Sequence, residues 1–558
     1  MAGIGTSKPI VVALACVAVA VAGVYLSGLL ALLLLEMDLH RLQWNTWYRY
    51  LDAIDLPQLR PYAGRIRIAG YVGFGLPALA GPVLLWLVLR PARRSMHGDA
   101  RFATRAELAR KGLLKASDDG IVVGKCGGDL VRLGGQQFVI LAAPTRSGKG
   151  VGVVIPNLLD YQQSMVVLDI KQENFDLTSG WRASQGQDVF LFNPFAEDRR
   201  SHRWNPLRYV SSDPAFRVSD LMGIAAMLYP DGIDEQKFWV SQARNAFMAF
   251  ALYLFEQQAH DRQSGFAGAT PTLGAIYRLS SGDGSSLKPY LQALAQARFL
   301  GGNARAAFAN LLSQADETFA SILGTFKQPL NAWINPVLDA ATSADDFLLT
   351  DLRRRKMTIY VGIQPNKLAE CRLIVNLFFS QLINLNTREL PRANPELRYQ
   401  CLLLMDEFTA IGKVEIIATG VAYMAGYNLR LLPIIQSMAQ LDATYGKEAA
   451  RTILTNHALQ ILYAPREQQD ANDYSEMLGY TTVRRQNITR GREVSRSESE
   501  ERRALMLPQE LKALGPDQEV FLYEGIAHPV RCDKIRYYQD RHFKGRLLPR
   551  TQVPALAV

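Results

Sequence analysis

Charged residues are absent from two long stretches near the start of the chain. Residues 9–35 hold 27 positions without one charge, rich in Val, Ala and Leu. Residues 68–89 hold a further 22, interrupted by Gly and by Pro77 and Pro82. About 20 apolar residues cross a hydrocarbon core, so both runs predict membrane-spanning helices, the second with its breakers covered by a neighbouring helix. The first run is too long for the apolar part of a cleaved leader, and no cleavage site in a polar context follows it. Arg90, Arg93, Arg94, Arg101 and Arg105 crowd the exit of the second run, which predicts a cytoplasmic location for the chain beyond it. The loop 36–67 then faces the periplasm, with Trp44, Trp47, Tyr48 and Tyr50 as interfacial anchors, although Arg65 and Arg67 reduce the contrast in charge.

Past the second span the pattern changes. Short apolar runs alternate with helical stretches over 138–192 and again over 357–524, the alternation a parallel α/β sheet requires. Between them, 211–335 reads as helix throughout. Its stripes of aromatics and Ala at 238–254 and 319–333 have helical spacing and predict core packing. The expected organisation is a membrane anchor over 1–92, an α/β domain built from 93–210 and 336–558, and an inserted all-helical domain over 211–335.

Three of the predicted strands end in polar groups. Residues 138–143 form an apolar strand running into Ala143, Pro144, Thr145, Arg146, Ser147, Gly148, Lys149 and Gly150, followed by a helix from Val151. Strand, Gly-Lys loop, helix is the context of a phosphate-binding loop, in which backbone N–H groups and the helix N-terminus converge on a phosphate while the lysine neutralises it. Ala143 stands where the motif has its first glycine. Gly150 stands where a Ser or Thr hydroxyl would bind Mg²⁺, a position a water can fill. A second apolar run, 401–405, ends in Asp406 and Glu407. Adjacent carboxylates at the end of a buried strand are costly unless they serve a cation or a reaction. Asp406 is the candidate Mg²⁺ ligand, and Glu407 the candidate for polarising the water that attacks a γ-phosphate. A third run, 429–435, ends at Gln436, a neutral donor able to sense that phosphate. Asp169 and Lys171 close a fourth strand, where helix capping by Asp169 explains the residues equally well.

Composition changes this picture little. The chain carries +10 over 558 residues, with a pI near 9.2, a mild excess compatible with nucleic acid or anionic lipid. The segment 211–335 departs from it, with nine Arg and Lys against ten Asp and Glu, a net of −1. A surface that neutralises phosphates should be strongly basic, so this segment is expected to read proteins. Residues 484–503, with seven arginines and four glutamates, read as a solvated loop, or alternatively as a contact with DNA or a neighbouring subunit. The five cysteines are far apart and the seven histidines show no ligand spacing, which excludes a disulfide framework and a zinc site.

Ala143 through Pro156, Asp169-Ile-Lys171, Met405-Asp-Glu-Phe408 with Ile411-Gly-Lys413, and Gln436 through Leu441 together resemble the type IV coupling protein family, the ATPases that bring cargo to type IV secretion and conjugation machines. The resemblance extends over nearly the whole chain, and the Lys149-Gly150 variant is usual in one branch of the family. It implies a RecA-like P-loop ATPase domain with an inserted all-α domain for cargo recognition, preceded by two transmembrane helices. It also implies ATP and Mg²⁺ as cofactors, an active homo-hexamer in the inner membrane, and the type IV secretion machinery as partner. The cargo is either protein effectors or a relaxase–DNA complex. A chromosome DNA translocase of related fold and a non-catalytic membrane receptor with a degenerate site are the competing readings. In ring motors of this type an arginine from the neighbouring subunit completes the site. Arg372, Arg430 and Arg451 are the candidates.

Overall fold

The computed structural model describes residues 8–89, 96–231, 236–490 and 494–558. Arg90, Arg93 and Arg94 of the orientation argument, and Asp234 and Glu235 of the charge count, lie outside the described residues. Contacts divide the chain into two compact units, Met1–Met96 and His97–Val558.

In the first unit the two uncharged runs are helices, Lys8–Leu34 and Ala63–Leu89. They approach each other through small residues, and a Cβ on Gly73 would lie 2.4 Å from the Cα of Ser27. The loop between them carries the helix Thr46–Asp52. Trp44 and Tyr48 are exposed, as interfacial anchors require. Trp47 is not: it donates to the carbonyl of Ile66 at 2.9 Å and packs on Gly70 and Phe74, so it fastens the helix pair. Arg65, in the first turn of the second helix, donates to the carbonyl of Leu34 at 2.9 Å and so caps the first.

The second unit holds an eleven-stranded sheet and a separate two-stranded one. In chain order the strands are β1 (Ile121–Cys126), β2 (Asp129–Leu133), β3 (Val139–Ala142), β4 (Ser164–Ile170), β5 (Asp188–Phe192), β6 (Met357–Ile363), β7 (Cys401–Met405), β8 (Leu429–Ile435), β9 (Leu459–Leu462), β10 (Tyr480–Arg490), β11 (Val494–Ala504), β12 (Gln518–Tyr523) and β13 (Val530–Asp533). The large sheet runs β2-β1-β13-β12-β9-β3-β8-β7-β4-β6-β5. The seven strands from β9 to β5 are parallel, and the other four join antiparallel at one edge. Strands buried on both faces read as unbroken apolar runs, which is why β3, β4, β7 and β8 were visible in the sequence. Their side chains alternate between two cores. Leu141, Val167 and Leu404 face the helix Ile155–Asp160, while Ile140, Leu168 and Met405 join the core that extends into the helical segment.

That segment lies between β5 and β6 and begins with the helix Pro214–Leu228. Phe250 stacks on Phe326 and meets Phe308 edge-on, so both aromatic stripes contribute to the core, although Phe238 at the start of the first is exposed. The helix Leu368–Asn386 is also apolar and long enough to cross a membrane, but Ile374, Phe378, Leu382 and Ile383 are buried in the core of the second unit.

Two expectations require correction. Residues 484–490 and 494–503 are not a loop, and 491–493 lie outside the described residues: β10 and β11 pair in antiparallel register from Tyr480 opposite Ala504 to Arg490 opposite Val494. The pairing sets Arg484 against Glu500, with Arg484 Nε 3.1 Å from Glu500 Oε1, so charges that look solvated along one strand neutralise each other across two. Arg430 is not available to a neighbouring subunit. It is fully buried, and its guanidinium donates to the carbonyls of Gln137 (2.7 Å), Asp119 (2.5 Å) and Leu133 (3.1 Å). Orphaned buried acceptors cost about 1–3 kcal/mol each, so Arg430→Ala should destabilise the fold by at least about 3 kcal/mol. Thermal unfolding of the detergent-solubilised protein measures this. A melting temperature equal to the parent's would show that those carbonyls find other donors.

Candidate functional site

The C-terminal ends of β3, β4 and β7 open on one cavity of about 480 Å³. At the end of β3 the N–H of Ala143 donates to Ile435 at 2.9 Å, tying the loop to β8. Pro144 and Ser147 close a turn, with the N–H of Ser147 3.2 Å from the carbonyl of Pro144. Arg466 donates to Thr145 Oγ1 at 3.4 Å, and Lys534 reaches the Ser147 carbonyl at 3.3 Å. Arg146 and Gly148 take φ of +58° and +86°. A Cβ at Gly148 would meet nothing within 4 Å, so what the structure itself demands of this glycine is its left-handed backbone. From Gly150 to Val154 the chain forms one π-helical turn before the α-helix Ile155–Asp160, the N–H of Ile155 bonding the carbonyl of Gly150. Such turns are frequent at functional sites. Gly152 has a separate reason: a Cβ there would lie 2.5 Å from the Tyr463 hydroxyl.

Lys149, Gly150 and Val151 line the cavity, as do Asp406 and Glu407 from β7. Lys149 Nζ contacts Glu407 Oε1 and lies 3.5 Å from Asp406 Oδ1. Gln436, just past β8, donates to Glu407 Oε2 at 2.6 Å. The structure thus brings together all four side chains that the sequence singled out for chemistry. Glu407 has φ +58°, in the left-handed region that is costly for any side chain. Burial opposes its ionisation, but the bonds from Lys149 and Gln436 prevail and hold its carboxyl below the usual range. Asp406 is pushed the other way, mainly by burial and also by Glu407 beside it, against the pull of Lys149.

Asp169 resolves the ambiguity of the fourth strand. It is fully buried, and its two oxygens accept from the N–H groups of Asn174 (3.3 Å) and Phe175 (2.8 Å), which caps the helix Glu173–Ser184. Burial, with Asp406 nearby, raises its carboxyl to about 7.

The residues fit a phosphate with a divalent cation. Asp406 Oδ1 is buried and accepts no hydrogen bond, and Ser147 Oγ is likewise without a partner. Asp169 is occupied by its cap, so Asp406 is the acceptor left for a cation. At Gly150 there is space for a hydroxyl that the sequence does not supply. Lys171 and Tyr537 also line the cavity, and sequence reasoning did not assign either of them. Lys171 had a signal in its place after a strand-terminal Asp. Tyr537 had none, because only the tertiary fold brings the C-terminal segment here.

Residues 97–556 match the family described as type IV secretory system conjugative DNA transfer. The chain is 31% identical over 497 residues to protein VirD4 of Rhizobium rhizogenes, covering 86% of this chain and 71% of that protein. It is 28% identical over 503 residues to the conjugal transfer protein TraG of Escherichia coli, covering 82% and 78%. Its fold is shared with the plasmid coupling protein TrwB, solved in complex with the ATP analogue ADPNP, at a TM-score of 0.56 and 16% identity over 84% of this chain and 98% of that one. TrwB has also been solved in complex with ADP and Mg²⁺, with a TM-score of 0.53 and 17% identity over 83% and 97% of the two chains. With the RecA-like sheet, the Gly-Lys loop at the end of β3 and this match across nearly all of the second unit, the chain belongs to the type IV secretory coupling protein family.

Proposed function

We propose that this protein hydrolyses ATP at the ends of β3, β7 and β8 and uses the energy to deliver cargo to a type IV secretion channel. The convergence of Lys149, Asp406 and Glu407 on one cavity, with Gln436 hydrogen-bonded to Glu407, carries this reading. The names of its relatives, VirD4 and TraG, and the nucleotide complexes of TrwB support it.

Lys149 exchanges Glu407 for the phosphates, assisted by the free N–H groups of the loop and the turn at Gly150. Asp406 would hold Mg²⁺, which would supply charge neutralisation to the phosphates. Glu407, released from Lys149 and already ionised, orients the attacking water, while Gln436 changes partner from Glu407 to the terminal phosphate.

The two apolar helices of the first unit anchor the protein in the inner membrane, with the loop 36–67 outside and the second unit in the cytoplasm. The helical segment receives a relaxase bound to DNA, or protein effectors, through protein contacts. Its net charge of −1 supports this, and DNA affinity belongs to the rest of the chain. The active form is a homo-hexamer in which Arg372 or Arg451, both exposed, reaches the neighbour's site. Phosphate release by the detergent-solubilised full chain should therefore rise per subunit as protein concentration increases. A specific activity independent of concentration, in a sample shown to be monomeric, contradicts the ring.

A further inference from the structure

The segment joining β4 to the helix Glu173–Ser184 is strained in a way its sequence could have avoided. Lys171 and Gln172 are consecutive non-glycine residues with φ of +96° and +61°. Backbone in this region is what glycine adopts freely and lysine does not. The strain is locked in from both sides. The N–H of Lys171 donates to Ile363 of β6 at 3.1 Å, and Asp169 holds the start of the following helix through Asn174 and Phe175. The turn therefore fixes where the Lys171 side chain begins.

It begins at the edge of the phosphate cavity, which Lys171 lines together with Lys149, Asp406 and Glu407. The strand order runs β3-β8-β7-β4, and Leu168 of β4 pairs with Met405 of β7, which brings Asp169 abreast of Asp406. Lys149 and Lys171 thus flank the two carboxylates, one from the β3 side and one from the β4 side. They differ in their partners. Lys149 is ion-paired to both carboxylates, whereas Lys171 is exposed to the cavity and, among the described residues, has no ion-pair partner. Its charge reaches Glu407 only at longer range.

We propose that Lys171 is a second phosphate-binding cation of this site, placed to meet the terminal phosphate of a nucleoside triphosphate from the β4 side. It rests on the nucleotide reading given above and extends it. Lys149 and the loop are committed to the phosphates nearest the helix Ile155–Asp160. The charge of a triphosphate is greatest at its far end, and Gly150 supplies no hydroxyl to help hold a cation there. An unpaired ammonium on the far side of Glu407 adds the missing positive charge where it distinguishes triphosphate from diphosphate.

The test compares affinities of the detergent-solubilised full chain for ADP and for β,γ-imido-ATP, each with Mg²⁺, in the parent and in Lys171→Gly, Lys171→Met and Lys171→Arg. Lys171→Gly removes the ammonium and relaxes the backbone at once, so it keeps the fold even if Lys171→Met does not. Loss of one charge-assisted bond weakens the imido triphosphate about tenfold in Lys171→Gly and Lys171→Met, with ADP affinity unchanged and with Lys171→Arg close to the parent. If Lys171→Gly binds both nucleotides as the parent does, Lys171 is a turn residue only and the proposal is overturned. An equal loss for ADP and the triphosphate overturns the assignment to the terminal phosphate. A parent that binds neither nucleotide overturns the nucleotide reading itself, an outcome separate from the other two.

Discussion

Lys149→Ala abolishes ATP hydrolysis, with turnover falling by about 10³ or more, while the protein still inserts in the membrane. Two losses combine. The substituted loop retains its N–H groups but no longer neutralises the phosphates. In addition, Asp406 and Glu407 lose the cation they share and are left as adjacent, half-enclosed carboxylates. Each then favours protonation, and a protonated Glu407 no longer orients water. Phosphate release and ADP binding by the full chain measure both effects. Turnover equal to the parent's would remove the site from β3 and β7 altogether.

Glu407→Gln separates binding from chemistry. Glutamine has the same length and accepts the same left-handed backbone as the native residue, and its amide can still pair with Gln436. What it loses is the charge. Turnover should fall by about 10²–10⁴, with triphosphate affinity maintained. Asp406→Asn should behave differently and weaken the Mg²⁺-dependent part of binding. A Glu407→Gln protein that hydrolyses ATP normally would show that the wrong carboxylate has been assigned. The same network gives a stability effect of known sign. The folded-state carboxyl of Glu407 is lower than its ordinary value of 4.5, so its contribution is present above that pH. The contribution is lost as pH falls through the depressed folded value.

The sequence revealed most of this site because four strands buried on both faces end in polar residues. Apolar runs such as Cys401–Met405 ending in Asp406-Glu407 have few structural explanations. The two long apolar helices of the first unit were equally legible, since length and lack of charge suffice. Other features depended on pairing across the chain. The β10–β11 hairpin looked like a solvated loop because Arg484 and Glu500 are 16 positions apart and compensate each other only in register. Arg430 looked like a reagent because nothing in a single strand shows that the carbonyls of Asp119, Leu133 and Gln137 close around it. Tyr537 reaches the cavity from the C-terminal segment, a placement with no local signal. Lys171 was the intermediate case: it was read with Asp169 as the charged end of a fourth strand, but only the structure shows that Asp169 is taken up by its cap while Lys171 is exposed at the cavity.

Gln436 has a neighbour that gives its hydrogen bond to Glu407 a longer reach. Ser437 follows it directly, and Ser437 Oγ accepts from the N–H of Gln440 at 3.2 Å to start the helix Met438–Tyr445. The helix Lys447–Thr455, which carries the exposed Arg451, comes next after Gly446. A change in the partner of Gln436 is therefore one peptide bond from the first turn of a helix and a short lever arm from the surface. The backbone thus runs from the partner of a half-buried carboxylate through two short helices, joined at Gly446, to a surface guanidinium. In the ring proposed above, that continuity would put the γ-phosphate contact of one site and the guanidinium offered to the next on a single stretch of chain.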